Sequence, residues 1–436
     1  MRKLTLFTFA AGILISAAII VHSGCTKEGP SGTDGKDANE TCKLCHTATV
    51  VDKVAAEFDM SKHATGVVAE EETGVAGCAP CHESEGFKYV CTNNIPSTFT
   101  LNATTGKYVN DYSATTGTSY GSISCFTCHS SLHTTYGYSD VSSLTTTAAV
   151  DMTMWGGAKT INLTQDDGKS NLCIKCHQPR PMAVSAGNGR VLNYDSLHIA
   201  PLTVFWDSTS GVTAKYIKPS FRMHVHYGAV GAIVAGIGGV EFPGTLSYTS
   251  SDHATKASCQ DCHMAPMSND AVAGGHTYRA KGNFTGCNVA GCHADSPLDA
   301  SSPKFVNART ATKGLLDQLA AKINACGAGT DILHIDAANL WADGTTNHYD
   351  GYLDIFDPSS NPSGYWRNPS PASTWSPADK AANLAKPKFP SLLNVQVGSL
   401  INFQMCLREF SQGVHNNSYS TALLTNSIGA MTAAGF

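Results

Sequence analysis

The chain has 436 residues, of which 14 % are Asp, Glu, Lys or Arg, with a formal charge of −5, sixteen cysteines and seventeen histidines; an ordinary soluble protein carries about 25 % charged residues. At about 150 residues per domain this length predicts two or three domains. So few cations argue against a nucleic-acid partner, whose affinity rests on basic contacts to phosphate, and favour basic or metal-cation partners.

Residues 1–24 have the two regions of an export signal, Met1-Arg2-Lys3 and then an apolar run over 4–21. A run of that length would also just span a bilayer, so a retained anchor and simple secretion stand as alternatives to processing at Cys25. Ser23-Gly24-Cys25 resembles a bacterial lipoprotein site, with Cys25 lipidated, although His22 stands where that pattern prefers leucine. Residues 25–41 then form the tether, Gly-rich and flexible and far too short for a collagen helix, that would stand the folded body off a membrane. Loss of Arg2 and Lys3 with the leader takes the charge from −5 to −7.

Residues 42–296 carry one signal six times. Cys-x-x-Cys-His occurs at Cys42/Cys45/His46, Cys78/Cys81/His82, Cys125/Cys128/His129, Cys173/Cys176/His177 and Cys259/Cys262/His263, and a looser copy with four intervening residues at Cys287/Cys292/His293. This order suits covalent c-type haem: two thiols reach the porphyrin vinyl groups and the adjacent imidazole becomes an axial ligand. A zinc knuckle or a redox dithiol is the bland reading of one copy. Zinc would want paired Cys-x-x-Cys units without a following histidine, and a redox dithiol would want a single copy. For the Cys287 variant a disulfide or zinc site is the alternative. Six covalently bound haems would replace much of a side-chain core, since each 100 Å² of covered porphyrin contributes roughly 2.5 kcal/mol, so the expected fold is low in regular secondary structure around a haem array.

The six copies start at intervals of 36, 47, 48, 86 and 28 residues, which argues against a solenoid. Residues 97–113 predict a β-hairpin turning at Thr105-Gly106. The small-residue run 228–239 would let backbone lie close to a flat surface, either a haem face or a packed turn. Ten histidines outside the motifs and the leader compete for six distal positions. His63, His253 and His276 each precede an attachment site. His224 and His226 flank Val225 and would point to opposite sides of an extended segment. His133, His198 and His415 complete the set of candidate ligands, while His334 and His348 read as surface imidazoles. Met264 and Met267 are the thioether alternatives, which would raise the potential.

Residues 297–436 predict a mainly α-helical region. Leu315, Leu316, Leu319, Ala320 and Ile323 share a helical face, Ser376-Pro377 reads as a helix start, and 391–412 and 419–434 form two more helices broken at Gly413. Residues 343–375 read as a long ordered loop in which Asp350, Asp354 and Asp357 lack EF-hand spacing. Export permits disulfides, so Cys326 and Cys406 are expected to bridge, leaving Cys91 over.

Taken together, Tyr227-Gly228, Gly238-Gly239-Val240-Glu241-Phe242-Pro243, His253, Cys259 to Met264, Gly275-His276-Thr277 and Cys287 to His293 resemble bacterial multihaem c-type cytochromes of respiratory and extracellular electron transfer. The segment around His415 is similar to the C-terminal histidine segment of some of them. The resemblance covers 220–293 well and the end loosely. It implies a multihaem cytochrome c fold, mostly bis-histidine irons and an exported, periplasmic or cell-surface location, with other redox proteins or an extracellular acceptor as partners. An electron carrier is the leading function. A nitrite- or hydroxylamine-type enzyme would need an open iron, often marked by Cys-x-x-Cys-Lys, which this sequence does not contain. A polymeric filament would borrow an axial histidine, His63 being the candidate, from a neighbouring subunit.

Overall fold

The computed structural model describes residues 48–66, 74–104, 107–114, 121–129, 144–180, 194, 197–198, 224–268, 272–326, 331–340, 347–353 and 393–436. By spatial clustering, Met1–Lys53 with Tyr136–Tyr138 form one unit, and Val54–Thr135 with Ser139–Phe436 form a second. Apart from the start of the first helix, everything described below belongs to the second unit. The leader, the tether, Cys42, Cys45, His46 and His133 lie outside the described residues.

The elements in order are α1 (Ala48–Asp59), α2 (Lys62–Thr65), α3 (Ala79–His82), α4 (Ser84–Thr92), β1 (Phe99–Asn102), β2 (Lys107–Asn110), α5 (Cys125–Cys128), β3 (Val150–Asp151), β4 (Thr160–Ile161), α6 (Lys169–Ile174), α7 (Val230–Ala235), α8 (Asp252–Lys256), α9 (Cys259–His263), α10 (Pro303–Asn324), β5 (Leu333–Leu340), β6 (Asn347–Leu353), α11 (Asn394–Arg408) and α12 (Asn417–Ala433). The expected hairpin is present as β1 against β2, with Phe99 opposite Asn110. Before residue 296 most helices have one or two turns, α1 with twelve residues and α4 with nine being longer, and the three longest come after it. Among the described residues no helix is long and apolar enough to cross a membrane.

The C-terminal helices form for reasons legible in their sequence. Ser302 precedes a proline in the first turn of α10, where a missing N–H costs nothing, and Leu316, Leu319, Ala320 and Ile323 are buried along one face. In α11 every residue is buried, so its polar side chains must find partners inside. They do. Asn402 accepts from the Val240 N–H at 2.8 Å and donates to the Val240 carbonyl at 2.7 Å, and Gln404 accepts from the Val225 N–H at 2.8 Å while donating to Gly351 at 2.6 Å. These amides stand in for a neighbouring strand. They pin residues 225 and 240, and with them the segment that carries His226.

One hydrophobic cluster runs from Val150 to Met431 and joins α6, α7 and the three long C-terminal helices. The core therefore does not stop at residue 296, where sequence patterning places a boundary. The run 228–239 is the short helix α7 closed by left-handed Gly236. A Cβ on Gly231 would come 2.5 Å from the His177 carbonyl oxygen, so the packing there needs glycine.

Two expectations are corrected. Residues 347–353, read as part of a long loop, form a strand paired with β5; the Asp343-Gly344 turn signal was present, but Asp, Asn and Ala made the preceding run a weak strand pattern. Cys326 and Cys406 are free thiols. Cys406 is buried within α11, and the Cys326 thiol turns back to the Lys322 carbonyl at 3.4 Å. Cys91 is free as well. Asp354, Asp357 and the Ser376-Pro377 helix start lie outside the described residues, and Asp350 is placed in β6.

Candidate metal centre

Each described Cys-x-x-Cys-His motif is a single closed turn. The histidine N–H donates to the carbonyl of the first cysteine at 3.1 Å for His82, 2.9 Å for His129 and 2.9 Å for His177, and the fifth motif is the helix α9, capped reciprocally by Ser258 and Asp261. One turn places residues i, i+3 and i+4 on a common face. In the looser copy the His293 N–H still donates to the Cys287 carbonyl, at 3.0 Å. The two extra residues bulge outward without changing which ends meet.

Four motif histidines each face a histidine from elsewhere in the chain. Ring centroids are 6.0 Å apart for His177 and His63, and 6.1 Å apart for His82 and His226, His263 and His415, and His293 and His253. Two metal–imidazole bonds of about 2.0 Å, extended to the ring centres, require a separation of about 6 Å. His276 lies near His129, which lowers its pKa after burial, while Glu57 raises it. The Glu57 carboxylate also accepts from the His276 N–H at 3.0 Å.

Ring tautomers follow from the partners. Nδ1 of His226, His253 and His263 faces the carbonyl of Tyr227 at 2.8 Å, Val414 at 2.7 Å and Tyr278 at 2.9 Å respectively, and Nδ1 of His415 faces Glu409 Oε2 at 2.5 Å. Each Nδ1 must carry the proton, which leaves Nε2 with its lone pair free to bind a metal. His224 is the reverse case. Arg408, which can only donate, reaches its Nδ1 at 2.8 Å, nearer than the Val225 carbonyl at 3.3 Å, so this closer partner makes Nδ1 an acceptor and puts the proton of the neutral ring on Nε2, and the ring packs on Tyr352. Among the described residues no motif histidine stands against His198, which is half-buried beside Leu197.

The sites crowd together. His177 is exposed as a residue, yet desolvation of its ring and then the nearby rings of His63, His263, His415 and His82 bring its pKa down to about 4. Cys81 and Cys176 Sγ reach the Lys175 and Pro80 carbonyls at 3.8 and 3.9 Å, and thiols of different motifs lie near enough to shift one another's pKa, Cys81 with Cys176 and Cys173 with Cys259. Cys262 lies beside Cys287 and is pushed up to about 12, mainly by burial, while the nearby Cys173 thiol brings Cys259 down to about 7. Tyr278 touches three sites: its ring packs on His63 at 4.8 Å and His276 at 5.7 Å, and its carbonyl holds His263.

Glu409, Tyr278, Glu57 and Arg408 escaped sequence reasoning. Glu409 had one signal, its place six residues before a candidate histidine. Burial would raise the Glu409 carboxyl and lower the His415 ring, but their mutual bond and charge reverse both, so Glu409 lies below its ordinary value and His415 above.

Among the described residues no group of three or more His, Cys, Asp and Glu could hold a bare ion. Each pair supplies two imidazole nitrogens, which would hold an iron whose other four ligands come from a macrocycle. Comparison with protein-family models, curated proteins and solved structures finds no match to this chain.

Proposed function

We propose that this chain is an exported electron carrier that holds six covalent c-type haems, most of them between two histidines. The observation that carries the reading is the set of four pairs, each joining one motif histidine to one outside the motifs at 6.0 to 6.1 Å. On this reading His63 serves the site of Cys173 and Cys176, His226 that of Cys78 and Cys81, His415 that of Cys259 and Cys262, His253 that of Cys287 and Cys292, and His276 that of Cys125 and Cys128. The bound groups supply one-electron chemistry; the protein sets their spacing, ligands and surroundings. Contacts between thiols of different motifs favour a contiguous array. His63 faces His177 of its own chain, which favours a self-contained carrier over a filament that borrows this ligand. Export, a lipid on Cys25 and a redox protein or extracellular acceptor as partner rest on the sequence.

The test is an intact mass of the purified protein with its ferric spectrum. Six covalent haems, low-spin ferric iron and poor CO binding by the reduced protein are expected. No covalent haem would refute the reading. A full equivalent of high-spin iron with nitrite or hydroxylamine reduction would promote the enzyme.

A further inference from the structure

Glu409 closes α11 with 2 % of its surface exposed. Its Oε2 accepts from His415 Nδ1 at 2.5 Å and from the Ser411 hydroxyl at 2.6 Å, and its Oε1 accepts from the Gly413 N–H at 3.0 Å. The Ser411 oxygen in turn accepts from the His415 N–H at 3.0 Å. The turn that makes this possible is costly. Phe410, Gln412 and Gly413 all have positive φ, at 61°, 57° and 88°, and a non-glycine residue held there costs of order 1–3 kcal/mol. Phe410 is also left 63 % exposed. Such strain persists where the surroundings enforce it, and here the turn's product is one buried carboxylate aimed at one imidazole. The other rings differ: Nδ1 of His226, His253 and His263 faces a backbone carbonyl, and Nδ1 of His276 stands 4.0 Å from Glu57.

We infer that Glu409 is a positioning and tuning residue which, by drawing the Nδ1 proton of His415, makes Nε2 the strongest distal donor of the described sites and gives the haem on Cys259 and Cys262 the lowest potential among them. The inference rests on the proposed haem ligation. A carboxylate behind a ligating histidine raises its basicity, a more basic ligand stabilises the ferric over the ferrous state, and hydrogen bonding around the ligands is one of the levers by which protein sets haem potential.

The experiment is a spectroelectrochemical titration of the holoprotein and of its Glu409→Gln, Ser411→Ala and His415→Ala variants, with low-spin content followed by EPR. Glu409→Gln is expected to move the lowest-potential component upward by a tenfold change in the ferrous-to-ferric ratio, about 59 mV for one electron, leaving the other components in place. Ser411→Ala frees Oε2 from a competing donor and is expected to move the same component downward. Opposite signs would not arise from general loosening of the loop. Unchanged potentials in both variants, or an upward shift in both, would overturn the role of Glu409. If Glu409→Gln fails to fold, the sign of the Ser411→Ala shift still decides. His415→Ala should create one high-spin haem; an unchanged low-spin content would remove the ligand assignment itself, and the inference with it.

Discussion

Asn416 is fully buried and holds three segments at once. Its Oδ1 caps α12 by accepting from the Tyr419 N–H at 3.3 Å and also accepts from the Ser251 N–H at 2.9 Å, while its amide donates to the Ile233 carbonyl at 3.0 Å. Truncation to alanine removes an N-cap worth about 1 kcal/mol. It also leaves the Ser251 N–H without this partner, at a cost of about 1–3 kcal/mol where buried, whereas the Ile233 carbonyl still accepts from the Gly236 N–H at 3.1 Å. The expected loss is therefore about 2–4 kcal/mol, read as a lowered urea midpoint in far-UV circular dichroism of the holoprotein. Asn416→Ser should recover about 1 kcal/mol, because serine still caps. Asn416 also adjoins His415, and Ser251 precedes the helix that carries His253, so the Soret band should shift at lower urea in the alanine variant. A loss below about 1 kcal/mol would refute the clamp and place the stability of this corner in its apolar packing.

Other outcomes follow from the geometry and, for Cys25, from the sequence. His226→Ala or His276→Ala should each give a high-spin, CO-binding haem that the native protein lacks, seen by EPR and by CO difference spectra. Replacing Cys287 and Cys292 together by alanine should lower the intact mass by one haem; an unchanged mass would remove the looser motif from the set. Gly231→Ala should destabilise by about 1–3 kcal/mol through overpacking, because the added Cβ would meet the His177 carbonyl at 2.5 Å and Ile174 at 2.9 Å, and a change of 0.3 kcal/mol or less on thermal unfolding would contradict the packing described. Cys25→Ser should release the protein from membranes in a fractionation assay; equal retention would refute the lipid tether.

Local structure was readable from the sequence because each signal is complete within a few residues. The attachment motifs are single turns closed by their own backbone bonds, the hairpin at 99–110 carries its own turn, and α10 shows its buried face at helical spacing. The histidine supply was countable for the same reason. Pairing was not. His63, His253 and His276 drew notice for lying just ahead of an attachment site, yet His63 faces His177, His253 faces His293 beyond the intervening motif, and His276 lies near the upstream His129. Which element brings a second imidazole opposite each motif histidine is decided by packing across the core, not by distance along the chain. The contrast between His224 and His226 makes the same point at two residues' separation: Arg408, delivered by α11, claims one ring, and the Tyr227 carbonyl orients the other. Glu409 became a partner of His415 only through the left-handed turn at 410–413, a backbone path that the residue types between them do not announce.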